Sequence, residues 1–328
     1  MNGRMEEDLI IEKNIDKKII DAPEFVQEWI SNLRASKITA KSQLDYCRKV
    51  IRMLEYINSD ISKITIKDIS RSKVQNYYTS IQRKEKDGII TETSTSYQQS
   101  VWFALNNFLG YMKKINYLPD NYMEDIKKPK TRKDETLISK KVNLSSRQLQ
   151  KIINNINDNT NPLEIRDKAI LLIYMSTGMR RAALTHLNID DVDLENKKLV
   201  VKGEKGQSSF IYNLNDPTIK SIKDWLAVRS NFIIDNNTAL FLSIKGNRIR
   251  GNTIYKMVDN RCSKVIGTHI HPHTLRAAYV SILYNKTKDI DFVRKSVGHS
   301  NIATTQKYIV TDNKEREIAS TIMGNIFV

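Results

Sequence analysis

"KKLVVKGEKGQSSFIYNL", residues 197–214, is the stretch on which the fold class turns. It alternates as a strand does on both sides of Gly203-Glu204-Lys205-Gly206, so it reads as a β-hairpin. Almost everything around it reads as helix. The chain is therefore expected to be mostly α, in two domains, with one small antiparallel sheet in the second.

Upstream of the hairpin, "IRDKAILLIYMSTG" (165–178) is apolar enough for a buried central helix, which Gly178 stops. "NLSSRQLQKIINNI" (143–156) opens another helix, with Ser145 or Ser146 as its cap. Downstream, "ALFLSIKGNRIRG" (239–251) offers a further short strand and turn, and from "TLRAAYVSILYN" (274–285) onward the pattern is helical again.

The first part of the chain gives four amphipathic helices over 21–126. "DAPEFVQEWISNL" sets Asp21 and Glu24 at capping-box spacing, with Phe25, Trp29 and Leu33 on one face. "QLDYCRKVIRMLEYI" places Leu44, Cys47, Ile51 and Leu54 in a 3-4-3 stripe. Val74, Tyr77, Tyr78 and Ile81 mark the third helix; Tyr97, Val101, Ala104, Leu105, Phe108 and Met112 mark the fourth. "KKPKTRKDETLISKK" (127–141) then carries seven Lys/Arg against two acidic residues. It is a linker, suited either to a strap along a phosphate backbone, with Lys127, Lys128 and Lys130 as contacts, or to a solvated spacer. The second domain is expected over 142–328.

Bulk charge narrows the partner. The 328 residues hold 53 Lys+Arg against 37 Asp+Glu, a formal net charge of +16. Such a chain repels itself unless a polyanion takes up the charge, which makes nucleic acid the leading partner class. Cys47 and Cys262 are the only cysteines and lie far apart, which suits a reducing compartment. "MEEDLIIEKN" (5–14) lacks the basic start and long apolar run of a signal peptide, and no stretch is long enough to span a bilayer. A cytoplasmic protein with no membrane partner is expected.

Six residues could carry chemistry. Arg180 follows the helix-stopping Gly178, and Lys202 stands at the lip of the hairpin. His273 and Arg276 sit three apart in "HPHTLR", and His299 and Tyr308 bracket "GHSNIATTQKY". Singly, each has an ordinary explanation: a cap, a solvated charge, a core aromatic. Together they are a kit for attack on a phosphodiester. Guanidinium groups hold non-bridging oxygens and stabilise charge developing on phosphorus. A tyrosine hydroxyl becomes a nucleophile once a base takes its proton, and a lysine can protonate the expelled oxygen.

In that order, "TGMRRAAL", "VKGEKG", "HPHTLR" and "VGHSNIATTQKY" resemble the catalytic boxes of the tyrosine recombinases, the phage-integrase and Xer family. The resemblance implies a helical, SAM-like core-binding bundle and an α-rich catalytic domain with a small antiparallel sheet. It makes Arg180 and Arg276 the catalytic arginines, Lys202 the hairpin lysine, His273 the partner of Arg276, His299 the Gly-His histidine and Tyr308 the nucleophile. It implies a 3′-phosphotyrosyl link, a Holliday junction, a homotetramer on two DNA sites, and no metal, ATP or other cofactor. Ala183 and Ala277 depart from the family's usual acidic residue and second histidine. Arg181 and Lys205 are further candidate DNA contacts. His269, His271 and His273 alternate as a metal site could, but the chemistry asks for none. The competing readings are a type IB topoisomerase and a non-catalytic DNA-binding accessory protein. Beyond Tyr308, Ile318, Ile322 and Ile326 recur every four residues, a stripe expected to dock on a neighbouring protomer or to pack on its own domain.

Overall fold

The structure, a computed structural model, describes residues 3–130, 143–156, 161–203, 209–232 and 237–306. The chain divides into two compact units, and the division falls within 131–142, outside the described residues.

The first unit packs five helices: α1 (Gly3–Ile19), α2 (Glu24–Ala35), α3 (Ala40–Ile57), α4 (Arg71–Ser80) and α5 (Thr95–Lys114). It begins earlier than the expected residue 21. Ile11, Ile15 and Ile19 recur every four residues on α1, and the last two are buried in the same core as α2 to α5. At the centre, Trp29 meets Phe108 edge-on at 5.1 Å and its indole N–H donates to Asn107 Oδ1 at 2.9 Å. Each such side chain contributes about 2–3 kcal/mol by leaving water. The stripe on α3 is buried as its spacing predicts, and burial pushes the Cys47 thiol up to about 11. The expected cap is not the one used. Pro23 precedes the first turn of α2 and no side chain caps it, because Asp21 sits two residues ahead of the capping position. The sequence pattern also misses a hairpin between α4 and α5. β1 (Arg83–Lys86) and β2 (Ile89–Glu92) turn through Asp87 and Gly88, both at positive φ, the backbone that a two-residue hairpin loop demands.

The start of the basic stretch lies along α5. Ile126 O accepts from the Trp102 indole at 2.8 Å, Pro129 O accepts from Gln99 at 2.6 Å, and Lys128 Nζ stands 4.3 Å from the Phe103 ring centroid.

The second unit opens with α6 (Ser146–Asn154), whose cap is Ser145, with Gln148 closing the capping box. α7 (Pro162–Thr177) is the buried central helix, ended by Gly178 at φ +59°. A short α8 (Arg181–His186) leads to a three-stranded antiparallel sheet, β3 (Val192–Asp193), β4 (Lys198–Val201) and β5 (Phe210–Asn213). β4 and β5 are the expected hairpin, paired from Lys198↔Asn213 to Val201↔Phe210; its tip, 204–208, lies outside the described residues. β3 is a short addition. Residues 239–251 form isolated bridges, Asn188↔Ala239 and Leu242↔Arg248, rather than the expected strand. Then come α9 (Asp216–Arg229), α10 (Gly251–Val258), a π turn over Asp259–Ser263, α11 (Lys264–Ile266), α12 (Pro272–Thr287), α13 (Ile290–Ser296) and α14 (Ile302–Gln306).

Trp225, Tyr174 and Phe241 anchor this core, with Cys262 beside them. Asp167, nearly buried, accepts from both Arg166 and Arg261, so α7 is tied to the π turn by a charge cluster with every partner in place. Among the described residues no helix is long and apolar enough to cross a membrane. The Ile318, Ile322 and Ile326 stripe lies outside the described residues.

Candidate active site

Four of the six candidate residues converge at the end of α7, the start of α12 and the loop before α14. Arg276 is the centre of the cluster. It is 4% exposed, one turn into α12, and its guanidinium donates to Gly178 O, to Val297 O at 3.2 Å and to His299 Nε2 at 2.6 Å. Three segments distant in sequence thus meet on one side chain.

The direction of those bonds fixes the histidine. A guanidinium only donates, so Nε2 of His299 accepts, and Nδ1–H donates to Thr305 Oγ1 at 2.9 Å. Thr305 is fully buried on α14. Burial, helped by the charges of Arg276 and Arg180, pushes the His299 imidazole down to about 4, so it is neutral at physiological pH. Two guanidiniums therefore act beside it without a third positive charge. Gly298, at φ +63°, turns the chain so that His299 faces inward, and the Phe210 ring of β5 packs where a side chain at 298 would be.

Arg180 and His273 form the open side. Arg180 is exposed, and among the described residues its guanidinium has no hydrogen-bond partner. Its charge is felt by both His299 and Tyr212. His273 is exposed in the first turn of α12, its ring 6.4 Å from that of His271. A buried pair thus underlies an exposed arginine and an exposed histidine. A separate cavity of about 450 Å³, lined by Arg166, Asp167, Lys256 and Arg261 among others, shares no residue with this cluster. Arg180 and His273 are the exposed members of the cluster, and Arg276 and His299 the buried ones.

Lys202 is placed one residue beyond β4, and its ammonium is 2.8 Å from Asp191 Oδ1. Arg181 does not project: its guanidinium lies against the backbone of Gly251 at the start of α10. Lys127, Lys128 and Lys130 are exposed on the first unit. Tyr308 and Lys205 lie outside the described residues. His269 is engaged on both nitrogens, by Asp259 at 2.7 Å and Tyr255 at 2.8 Å, while His271 stacks on the Tyr255 ring.

The sequence reading misses four residues of this neighbourhood. Tyr212 of β5 hydrogen-bonds with Arg276, and burial pushes its hydroxyl up, so it stays a neutral phenol. Tyr279, one turn beyond Arg276, packs on Gly178. Thr305 and Asp191 are the others. Thr305 sits six residues from His299 in a polar run, and Asp191 in "NIDDVDLEN", which reads as a solvated acidic turn. No spacing rule marks either.

Comparison with known proteins decides the family. Residues 142–315 match the model of the phage integrase family, more than half of the chain. The chain belongs to that family. This tyrosine recombinase is 32% identical over 212 residues to the tyrosine recombinase XerC of Actinobacillus succinogenes, covering 64% of this chain and 69% of that one. It is 29% identical over 216 residues to XerC of Alcanivorax borkumensis, covering 65% and 68%. Its fold is shared with XerH site-specific recombinase bound to palindromic difH substrate in a post-cleavage complex, at TM-score 0.63 and 22% identity, covering 88% of this chain and 82% of that one. The Tn1549 transposon integrase in complex with circular intermediate DNA aligns at TM-score 0.58 and 18% identity, covering 90% and 98%. The mostly helical, small-sheet architecture of the recombinase agrees with the fold class expected from the hairpin.

Proposed function

We propose that the protein is a site-specific recombinase that cuts and rejoins double-stranded DNA through a 3′-phosphotyrosyl intermediate. The observation that carries this reading is the buried Arg276–His299 pair with Arg180 exposed beside it. Arg276 is a fixed positive charge beside the place where charge would develop on a phosphate, and Arg180 is open to bind the same group bidentately. The resemblance at "TTQKY" supports Tyr308 as nucleophile.

In the first step the Tyr308 oxygen attacks phosphorus, and its proton passes to a base, for which exposed His273 is the candidate. The P–O5′ bond breaks as Lys202 gives its proton to the departing oxygen, leaving a 3′-phosphotyrosyl ester and a free 5′-hydroxyl. Attack by the 5′-hydroxyl of a partner duplex reverses each transfer. The ester keeps the energy of the broken bond, so the cycle calls for no nucleotide cofactor; that it calls for no metal is what the resemblance implies. Four protomers on two DNA sites would exchange the strands in pairs through a Holliday junction.

Tyr308→Phe tests the reading. The variant should bind target DNA as the parent does and give no protein–DNA adduct on denaturing gels, while the parent gives one. An adduct surviving in the variant would move the nucleophile elsewhere. Relaxed circles in place of exchanged duplexes from the parent would make the enzyme a topoisomerase.

A further inference from the structure

Lys202 has one partner among the described residues, and that partner is itself anchored. Asp191 is 5% exposed, in the single 3₁₀ turn Ile189–Asp191 that leads into β3. Its Oδ2 accepts from the Asn188 backbone N–H at 2.8 Å. Its Oδ1 is buried and accepts no aligned hydrogen bond; what offsets its charge is the Lys202 ammonium at 2.8 Å. The two ends of the pair differ sharply, since the Lys202 side chain is 52% exposed and that of Asp191 only 6%.

From this geometry we infer that Asp191 is a positioning residue for Lys202, holding the proton donor at the root of the hairpin. The inference rests on the assignment of Lys202 as general acid. A lysine reaches its target through four rotatable bonds, and Lys202 is followed by Gly203, beyond which the hairpin tip begins. Nothing in β4 itself fixes where the ammonium goes. The carboxylate does, because it is buried, capped on its other oxygen, and built on a segment whose β3 strand pairs directly with β4 at Val192↔Leu199. An ammonium carries three protons. The ion pair takes up one side of the ammonium, and the half-exposed position leaves the other side to solvent, where a backbone oxygen of DNA would enter. The pair is therefore compatible with proton delivery and restricts the volume from which it occurs. The ammonium can also leave only by stranding Oδ1 without compensation, which biases it to return after each transfer.

The test is cleavage of two substrates, normal DNA and DNA with a 5′-bridging sulfur at the scissile position, whose thiolate departs without a proton. Lys202→Ala should be slower by about 10²–10⁴-fold on normal DNA and recover with sulfur. Asp191→Asn should be slower by about 10- to 100-fold on normal DNA, the cost of a donor out of place, and should recover with sulfur too. The double variant should be no slower than Lys202→Ala alone. Asp191→Glu keeps the charge and displaces it by one methylene; it should fall between parent and Asn, again with recovery, and it serves if the Asn variant does not fold. A merely structural role for Asp191 would slow both substrates alike. Sulfur rescue of Lys202→Ala without rescue of the Asp191 variants overturns this inference and leaves the assignment of Lys202 standing. Failure of sulfur to rescue Lys202→Ala removes that assignment and this inference with it. Faster cleavage of normal DNA by Asp191→Asn would make the pair a restraint, and likewise overturns the positioning role.

Discussion

Gly178→Ala asks whether the stop at the end of α7 and the guanidinium site are one mechanical piece. Gly178 lies at φ +59°, where an alanine is disfavoured by about 1–2 kcal/mol. Its added Cβ would also stand 2.5 Å from Cδ1 and 2.9 Å from Cγ of Tyr279, closer than real contacts allow. Forcing that ring aside adds an overpacking cost of about 1–3 kcal/mol. The expected loss is about 3 kcal/mol, a fall in Tm of about 6–12 °C for a unit of this size. Because Gly178 O accepts from Arg276, the displaced backbone should carry the guanidinium with it, and DNA cleavage should fall as well. Gly267→Ala is the reference. That glycine is at φ +79° with nothing within 4 Å of an added Cβ, so it bears the backbone cost alone and should leave cleavage unchanged. Thermal unfolding of both variants, with adduct formation measured in parallel, separates the two contributions. Adding Tyr279→Leu to Gly178→Ala should restore part of the loss. Equal Tm shifts for the two alanines, with cleavage intact in both, would refute the coupling.

His299 should make the fold sensitive to acid. Its folded pKa of about 4 lies below the unfolded value near 6.5, so the unfolded chain takes a proton that the folded chain refuses. This contribution is complete above about pH 6.5 and is lost as pH falls towards 4, by about 3 kcal/mol in all. Denaturant unfolding at pH 7, 5.5 and 4 should show that fall in the parent and a shallower one in His299→Gln; identical profiles would remove His299 as its source. For the basic stretch, DNA affinity should weaken steeply with salt, and neutralising Lys127, Lys128 and Lys130 together should flatten the slope of log K against log salt by about 0.9 per phosphate released. Lys128 should give the least of the three, since its ammonium already sits over Phe103. An unchanged slope in the triple variant would mean that these lysines do not touch DNA.

The hairpin at 197–214 was legible because β-rich runs around a glycine turn have few other readings, and the stripes of α2, α3 and α5 because their apolar spacing matches a helix. What escaped was short-range chemistry with no periodicity. Pro23 stands in the place of a side-chain cap, and α1 shows little pattern because its single row of isoleucines is diluted by charge. The Arg83–Glu92 hairpin sets a charged strand against one whose isoleucines, Ile89 and Ile90, are adjacent and exposed, and leaves no alternation to see. In the site, Arg180, His273, Arg276 and His299 could be named because their order in the chain is distinctive. Their supports could not. Thr305, Tyr212 and Asp191 are ordinary residue types whose roles come from where the fold folds back, not from neighbours in sequence.

The two arginines of the site stand in opposite relations to the fold. Arg276 is buried and joins three segments through Gly178 O, Val297 O and His299, whereas Arg180 is exposed and among the described residues its guanidinium holds nothing together. Loss of Arg276 strands buried acceptors, each at about 1–3 kcal/mol, so selection for a folded chain retains it even where strand cleavage has ceased to matter. Arg180 has no such insurance. A lineage drifting from this ancestor towards a pure DNA-binding protein would therefore shed Arg180 early and keep Arg276 long after. Retention of Arg276 alone, in any descendant, records a fold that persists rather than an activity.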